Sequence, residues 1–190
     1  MAARTTYFFT RHGEAQHNVA AVKAEGRKLL DPELTDLGRE QASLLGKRLK
    51  GLSVVVTSPL TRALQTTVLI VKEMPGVKVL VTALHTENGM AVEGDEVAGE
   101  NCQRGRRTED LREAFPDFDF STLSDWTSED GRAYFHPLNV AERIDKFKLF
   151  LRDIEGESIL VVGHSGFYRR FLGGSKLKNC EVITRQHLDY

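Results

Sequence analysis

Two histidines and two arginines stand where apolar runs of this chain end, and their side chains are suited to binding and attacking an anion. Arg11-His12 comes one residue after Tyr7-Phe8-Phe9, His164 follows the run 159–162, and Arg62 comes shortly after a third run. Short apolar runs are typical of buried strands, and α/β proteins bind ligands beyond the carboxyl ends of their strands. We therefore expect these four side chains to share one pocket for phosphate.

The chemistry expected of such a pocket is phosphoryl transfer. A neutral imidazole at His12 is suited to attack phosphorus in line and to carry the phosphoryl group as a covalent intermediate. An unperturbed imidazole has a pKa of about 6.5, and neighbouring arginines favour its neutral form. Arg11 and Arg62 are suited to bidentate phosphate contacts, and His164 to donating to a non-bridging oxygen.

This arrangement resembles the histidine phosphatase superfamily, in its phosphoglycerate mutase branch. That branch carries Arg-His-Gly near its N-terminus, an arginine after a Ser-Pro strand exit, and a late Gly-His element. The chain has all three in the same order, and the run 34–42 is similar to the branch's Leu-Thr-x-x-Gly-x-x-Gln-Ala. His17-Asn18-Val19 and the run 31–35 resemble a divergent phosphomutase-like subgroup.

The resemblance also implies roles for two residues outside the histidine and arginine pairs. Asn18 occupies the family's asparagine position after Arg-His-Gly and is expected to bind phosphate. Glu87 follows the third strand pattern, where relatives carry the acid that protonates the leaving alkoxide. The match around it is imperfect, because Asn88 replaces the usual arginine. The acid is therefore left open among four carboxylates: Glu87, Glu93, Asp95 and Glu96.

Alternating strand and helix patterns must position these side chains. Strands are predicted at about 5–10, 53–57, 77–81 and 158–162, with a last edge strand at 182–184. Helices are predicted at 35–49 with Thr35 as N-cap, from Ser58 and Pro59 to about 71, at 139–154 and at 166–172. The residues expected to be buried on the first two helices are Leu37, Leu44, Leu45, Leu49, Leu60, Ala63, Leu64, Thr67, Val68 and Val71.

This order predicts an α/β fold, a three-layer sandwich with a mainly parallel central sheet and helices on both faces. We expect one domain over residues 1–190, with a lid insertion at about 83–137 where the regular pattern dissolves. Five aromatic residues are expected to dock this insertion on the sheet: Phe115, Phe118, Phe120, Trp126 and Phe135. Arg104, Arg106 and Arg107 either face a second anionic group of the substrate or lie in a solvated loop.

The composition of the chain argues against several classes of binding partner. A net charge of -1 offers no long-range attraction to nucleic acid or to an anionic membrane, so we expect neither partner. Two cysteines without metal-motif spacing and no apolar stretch of membrane length indicate a cytoplasmic protein. We expect no metal or other cofactor, because the histidines lack ligand partners and the arginines oppose a cation. The oligomeric state stays open.

Three functions are compatible with the sequence. The favoured one is a phosphatase that forms phosphohistidine at His12 and hydrolyses it, acting on a small phosphorylated substrate. A bisphosphate-primed mutase is the second, although the glycolytic mutases that the core motifs resemble are longer and have a different lid. The third is a non-catalytic phosphoryl-binding module, which the intact set of histidines and arginines argues against. The sequence does not name the substrate.

Overall fold

The fold is built on a five-stranded mixed sheet. The computed structural model describes residues 5–19, 29–87, 105–123, 139–186 and 188. Its strands are β1 (Thr6–Arg11), β2 (Val54–Thr57), β3 (Lys78–Val81), β4 (Ser158–Gly163) and β5 (Val182–Arg185), in the order β3-β2-β4-β1-β5. The first four run parallel, and β5 pairs antiparallel with β1 at one edge. The carboxyl ends of four strands therefore meet at one edge of the sheet.

Helices cover both faces of this sheet, as the sequence predicts. They are α1 (Asp36–Arg48), α2 (Thr61–Val71), α3 (Thr108–Ala114), α4 (Val140–Arg152) and α5 (Ser165–Phe171). Residues of β4 alternate between two cores, since Ile159 packs with Phe147 of α4 whereas Leu160 packs with Leu45 of α1. A strand that is buried on both faces has no polar alternation, which is why β2 reads as three consecutive valines. The predicted three-layer architecture is confirmed.

The N-termini of α1 and α4 are capped as the sequence indicates, whereas α2 begins later than predicted. Thr35 accepts a hydrogen bond from Gly38 N at 3.1 Å and caps α1, as predicted. Asn139 caps α4 in a reciprocal capping box, as its sequence indicates. The predicted start of α2 at Ser58 and Pro59 is wrong, because Pro59 and Leu60 form a bend, Leu60 is the N-cap residue and the helix begins at Thr61.

The predicted buried face of α1 is also wrong in part. Leu37 and Leu44 are exposed to 51% and 52%, and the helix instead buries small residues together with Leu45. The cause is close packing on α2, where a Cβ on Gly46 would lie 2.9 Å from Ile70 Cα. Leucine periodicity does not reveal a contact made by glycine. Val68 of α2, which was also expected to be buried, is exposed to 40%.

The described part of the insertion packs beside β3. Asp119 N donates to Val79 O at 2.9 Å, and Val81 N donates to Asp119 O at 2.9 Å, which extends the sheet by one bridge. Phe120 is buried in a third core together with Leu111, and Phe115 and Phe118 pack against its rim. Helix α3 lies in the stretch that the sequence predicts as irregular. Two of the docking aromatics, Trp126 and Phe135, lie outside the described residues.

No helix within the described ranges is both long and apolar enough to cross a bilayer.

Candidate active site

His12 lies immediately after β1, in the interior at the carboxyl edge of the sheet. Its backbone N donates to Gly163 O at 3.0 Å, which continues the pairing of β1 with β4, and its side chain is 1% exposed. Its Nδ1 is 2.6 Å from Gly13 O. A carbonyl oxygen only accepts hydrogen bonds, so the proton of the neutral ring resides on Nδ1 and the lone pair on Nε2. Arg62 Nε donates to that Nε2 at 3.3 Å.

The surroundings keep His12 neutral. Burial lowers its pKa well below the ordinary value of an imidazole, and the charges of Arg62 and Arg11 lower it further. The hydrogen bond to Gly13 O acts in the opposite direction but is the smallest of these effects. At neutral pH the nitrogen Nε2 is therefore a free base with a cation beside it.

Two glycines allow the backbone after His12 to pack closely against the start of α1. A Cβ on Gly13 would lie 2.4 Å from Gly38 O, and a Cβ on Gly38 would lie 1.9 Å from Glu14 O. Neither contact tolerates a side chain, so the backbone after β1 presses directly on the first turn of α1. Gly13 N also donates to Thr66 Oγ1 at 3.0 Å, which links this backbone to α2.

Arg62 enters the site from the first turn of α2 and is 1% exposed. A carboxylate that the sequence pattern did not single out lies behind it, since Asp31 Oδ1 is 4.0 Å from Arg62 Nη1. Asp31 also accepts from Thr61 N at 2.9 Å and from Thr61 Oγ1 at 2.6 Å. Burial raises the pKa of Asp31, while the Thr61 hydrogen bonds and Arg62 lower it. Asp31 thus anchors the turn that presents Arg62.

His164 follows β4 and faces His12, with the two ring centroids 5.2 Å apart. It is fully buried, and burial followed by the charge of Arg62 lowers its pKa well below the ordinary value. Its Nε2 is 2.8 Å from the hydroxyl oxygen of Ser58. Ser58, predicted as a helix cap, therefore contacts a candidate site residue instead. Sequence reasoning placed Ser58 at a strand exit but did not pair it with a histidine.

Arg11 and Asn18 border the site, and both are tied to the loop after α5. Arg11 Nη1 donates to Leu177 O at 3.2 Å. Asn18 Oδ1 accepts from Ala15 N at 3.1 Å and lies 3.5 Å from Asn179 Nδ2, which also donates to His12 O at 2.8 Å. Because its oxygen is engaged by these donors, the amide NH₂ group is the part of the Asn18 side chain that can donate to a ligand. No local sequence pattern indicates a role for Asn179, because its partners His12 and Asn18 are distant along the chain.

Glu87 comes to the site through a 3-10 turn, Ala83–His85, that follows β3. Its two carboxylate oxygens accept from Gly166 N at 3.2 Å and from Phe167 N at 3.1 Å, at the start of α5. A Cβ on Gly166 would lie 2.3 Å from Glu87 Oε1, so glycine is required for this contact. Glu87 therefore sits next to the turn that carries His164. The alternative acids Glu93, Asp95 and Glu96 lie outside the described residues.

The arginines of the insertion are paired within the protein where the structure describes them. Arg106 Nη2 lies 2.7 Å from Glu33 Oε1, and Arg106 N donates to Asp31 Oδ2 at 3.3 Å. Arg107 forms an exposed ion pair with Glu109 at 3.4 Å. Arg104 lies outside the described residues. The 105–107 segment thus contacts the residues behind Arg62.

The assembled site combines two arginines with buried polar atoms that lack hydrogen-bond partners in the ranges described. Three of its buried polar atoms have no partner among the described residues: Arg11 Nε, His164 Nδ1 and Ser165 Oγ. Buried polar atoms of native proteins are hydrogen-bonded to protein, water or ligand, so these atoms suit a ligand rich in oxygen acceptors. Within the described part of the chain, no three His, Cys, Asp or Glu side chains cluster as metal ligands. The arrangement is suited to a phosphate group.

Known proteins resemble this chain in sequence and in fold. A sequence profile of the histidine phosphatase superfamily (branch 1) matches residues 7–182. Serine/threonine-protein phosphatase PGAM5, mitochondrial, from Rattus norvegicus is 42% identical over 92 residues, which are 46% of this chain and 29% of that protein. The Homo sapiens protein of the same name is 40% identical over 92 residues, again 46% of this chain and 29% of that protein. The chain therefore matches less than a third of the length of these relatives.

Solved structures share the fold. Ecdysone phosphate phosphatase from Bombix mori, in complex with tungstate, superimposes with a TM-score of 0.66 at 16% identity, over 95% of this chain and 88% of that one. Phosphoserine phosphatase from Entamoeba histolytica, in complex with 3-phosphoglyceric acid, has a TM-score of 0.54 at 22% identity, over 95% and 89%.

Proposed function

Because the chain belongs to the histidine phosphatase superfamily, we propose that it is a metal-independent phosphatase that hydrolyses phosphomonoesters through a phosphohistidine at His12. The observation that supports this most directly is the 2.6 Å contact of His12 Nδ1 with Gly13 O, which favours the tautomer with the proton on Nδ1 and the lone pair on Nε2. A buried, neutral imidazole with guanidinium groups beside it is the nucleophile that a phosphate dianion requires.

In the first step, His12 Nε2 attacks phosphorus and the bond from phosphorus to the ester oxygen breaks. Arg11, Arg62 and the Asn18 amide bind the non-bridging oxygens, whose charge is spread in the transition state. Glu87, entering this step protonated, gives its proton to the leaving alkoxide. The products of this step are a neutral alcohol, a phosphorylated His12 and a Glu87 carboxylate.

In the second step, the Glu87 carboxylate takes a proton from a water molecule that attacks phosphorus. The bond from His12 Nε2 to phosphorus breaks, and inorganic phosphate leaves. His12 recovers its lone pair on Nε2 and Glu87 is protonated again, so each turnover consumes one water and one ester. The general acid of the first step thus becomes the general base of the second.

We assign His164 the role of a hydrogen-bond donor to phosphate. Ser58 Oγ lies 2.8 Å from His164 Nε2, and in this assignment the hydroxyl donates its proton to that nitrogen, which places the ring proton on Nδ1. That nitrogen has no partner in the described ranges, so it is a donor available to a ligand oxygen. A neutral donor at this position stabilises the transition state without trapping the product anion.

We propose a small phosphomonoester as substrate, the insertion at 83–137 as a lid of a single domain, and the cytoplasm as location. The contact of Arg106 with Asp31 and Glu33 supports the lid, since it joins the insertion to the anchor of Arg62. Slower hydrogen exchange at 105–107 with tungstate bound would agree with a lid, whereas unchanged exchange would oppose it.

The relatives named PGAM5 are mitochondrial proteins. Fractionation of cells that express the tagged chain therefore distinguishes a cytoplasmic from a mitochondrial location.

The direct test is phosphate release from p-nitrophenyl phosphate and a panel of small phosphomonoesters and phosphoserine peptides, in the presence of EDTA. Wild-type protein should release phosphate, and His12→Ala should retain less than about a hundredth of the activity. Loss of activity in EDTA would contradict the metal-independent mechanism. Turnover confined to 3-phosphoglycerate with a bisphosphate primer would favour a mutase, and no turnover with any substrate would favour a binding module.

The role of Glu87 has a separate test. Glu87→Gln should slow hydrolysis of alkyl phosphates by roughly 10²-fold or more, because their alkoxides need a proton. Hydrolysis of p-nitrophenyl phosphate should fall much less, because its leaving group is stable without one. Equal losses on both substrates would place the acid at another residue, such as Glu93.

A further inference from the structure

Arg143 is a buried cation that no part of the proposed mechanism uses. It lies on α4, on the face that packs against the sheet, and is only 6% exposed. In the sequence it stands between Val140 and Phe147 on the apolar stripe of this helix, where a charged residue is unexpected. A buried charge needs hydrogen-bond acceptors close by, and the identity of those acceptors indicates what the residue does.

Three hydrogen bonds of Arg143 go to the segment that leads into Glu87. Arg143 Nε donates to Leu84 O at 3.1 Å, and Nη2 donates to both Thr86 O and Thr86 Oγ1, the latter at 3.1 Å. The planar guanidinium thus bridges two carbonyl groups that are two residues apart. A lysine has no such fork and cannot make the same set of contacts.

The other side of the same guanidinium contacts the element that receives the Glu87 carboxylate. Arg143 Cζ lies 5.4 Å from the ring centroid of Phe167, over the face of the ring. Phe167 N is one of the two donors to Glu87. Burial lowers the pKa of Arg143 to about 10, and the charge of Glu87 acts against that change, so the guanidinium stays protonated at neutral pH.

We propose that Arg143 is the positioning residue for Glu87. It fixes the backbone before Glu87 and packs on Phe167, so that the carboxyl group is held at the start of α5 beside His164. The proposal rests on the proposed function, because it assigns Arg143 to the proton transfer of that reaction. It goes beyond the histidine and arginine set of the site, since Arg143 lies on α4, a helix to which that set does not belong.

The test compares Arg143→Met with wild type on an alkyl phosphate and on p-nitrophenyl phosphate. Displacement of a catalytic group by about 1 Å lowers rates by about 10²-fold, so kcat for the alkyl ester should fall by about tenfold to hundredfold. The aryl ester should lose less than about threefold, because it does not need the acid. Arg152→Met is the matched control, since Arg152 is on the same helix with its side chain 55% exposed, and it should leave both rates unchanged.

A double variant separates positioning from a general loss of structure. In a Glu87→Gln background, Arg143→Met should lower the alkyl rate by less than about twofold, because the group that it positions is already inactive. Equal losses on both esters, or full additivity with Glu87→Gln, would overturn the proposal. If Arg143→Met does not fold, Arg143→Lys and Thr86→Val replace it. Their losses of rate on the alkyl and aryl esters are then judged in the same way. An inactive wild-type protein, or one indifferent to His12→Ala, would refute the proposed function itself.

Discussion

Three buried neutral histidines make folding stability depend steeply on pH. His12, His85 and His164 are each at most 1% exposed, and burial is the largest cause that lowers the pKa of each. His85 reaches a pKa of about 3. In the unfolded chain these imidazoles recover a pKa of about 6.5. Below that pH the unfolded state binds protons that the folded state does not bind. The free energy of unfolding is therefore at its full value above pH 6.5 and decreases as the pH falls.

The size of the effect follows from this linkage. One imidazole that stays neutral in the folded state lowers the free energy of unfolding by about 1.4 kcal/mol between pH 7.5 and pH 5.5. Three such groups lower it by about 4 kcal/mol, which is a large part of the 5–15 kcal/mol typical of a domain. Asp31 acts in the opposite direction, because burial raises its pKa and the folded state gains a proton first. The lowered pKa values of Glu33 and Asp119 act below this interval.

Urea denaturation at pH 7.5, 6.5 and 5.5 measures this dependence. His85→Asn is the matched control, since it removes one titrating group outside the proposed machinery and should reduce the loss by about 1.4 kcal/mol, whatever its stability at pH 7.5. A total loss below about 1.4 kcal/mol in wild type would refute the reasoning, because it would mean that His12 and His164 bind protons in the folded protein. His12 would then lack the free lone pair that the mechanism requires.

Other expectations concern packing and charge. Gly38→Ala should lower the free energy of unfolding by at least about 1–3 kcal/mol in urea titrations, because its methyl group meets a backbone carbonyl oxygen; a stabilised variant would contradict the contact. Ser58→Ala should lower kcat in steady-state assays by about tenfold to hundredfold by leaving His164 Nε2 unpaired, and an unchanged kcat would separate the hydroxyl from catalysis. Arg106→Ala should change stability by less than about 1 kcal/mol, because its pair with Glu33 is partly exposed; a larger loss would show that this pair is structural.

The sheet and the residues at its ends were predictable from local pattern. The strands of this sheet read as short apolar runs, and the polar residues that follow such runs, such as His12 and His164, lie at the edge where α/β proteins bind ligands. The alternation of strand patterns with capped helix patterns predicted the three-layer architecture. The chemistry of phosphate then indicated which polar residues belong together.

The supporting residues were not predictable, because their partners are distant in the chain. Asp31 is 30 residues from Thr61, Arg143 is 57 residues from Thr86, and Asn179 is 167 residues from His12. Nothing local marks such a residue, apart from a charge on an apolar helical stripe in the case of Arg143. The wrong face predicted for α1 has the same origin, since its contact with α2 is made by small residues and not by leucines.

Detection of phosphohistidine tests the central claim most directly. Wild-type protein mixed with a phosphomonoester, quenched in alkali within the first turnover and digested, should give a phosphorylated peptide that contains His12. Phosphorus NMR of the denatured adduct should place the phosphoryl group on Nε2, the nitrogen that Gly13 O leaves free. His12→Ala should give neither adduct nor turnover. A phosphoryl group on another residue, or turnover that persists in His12→Ala, would contradict the account.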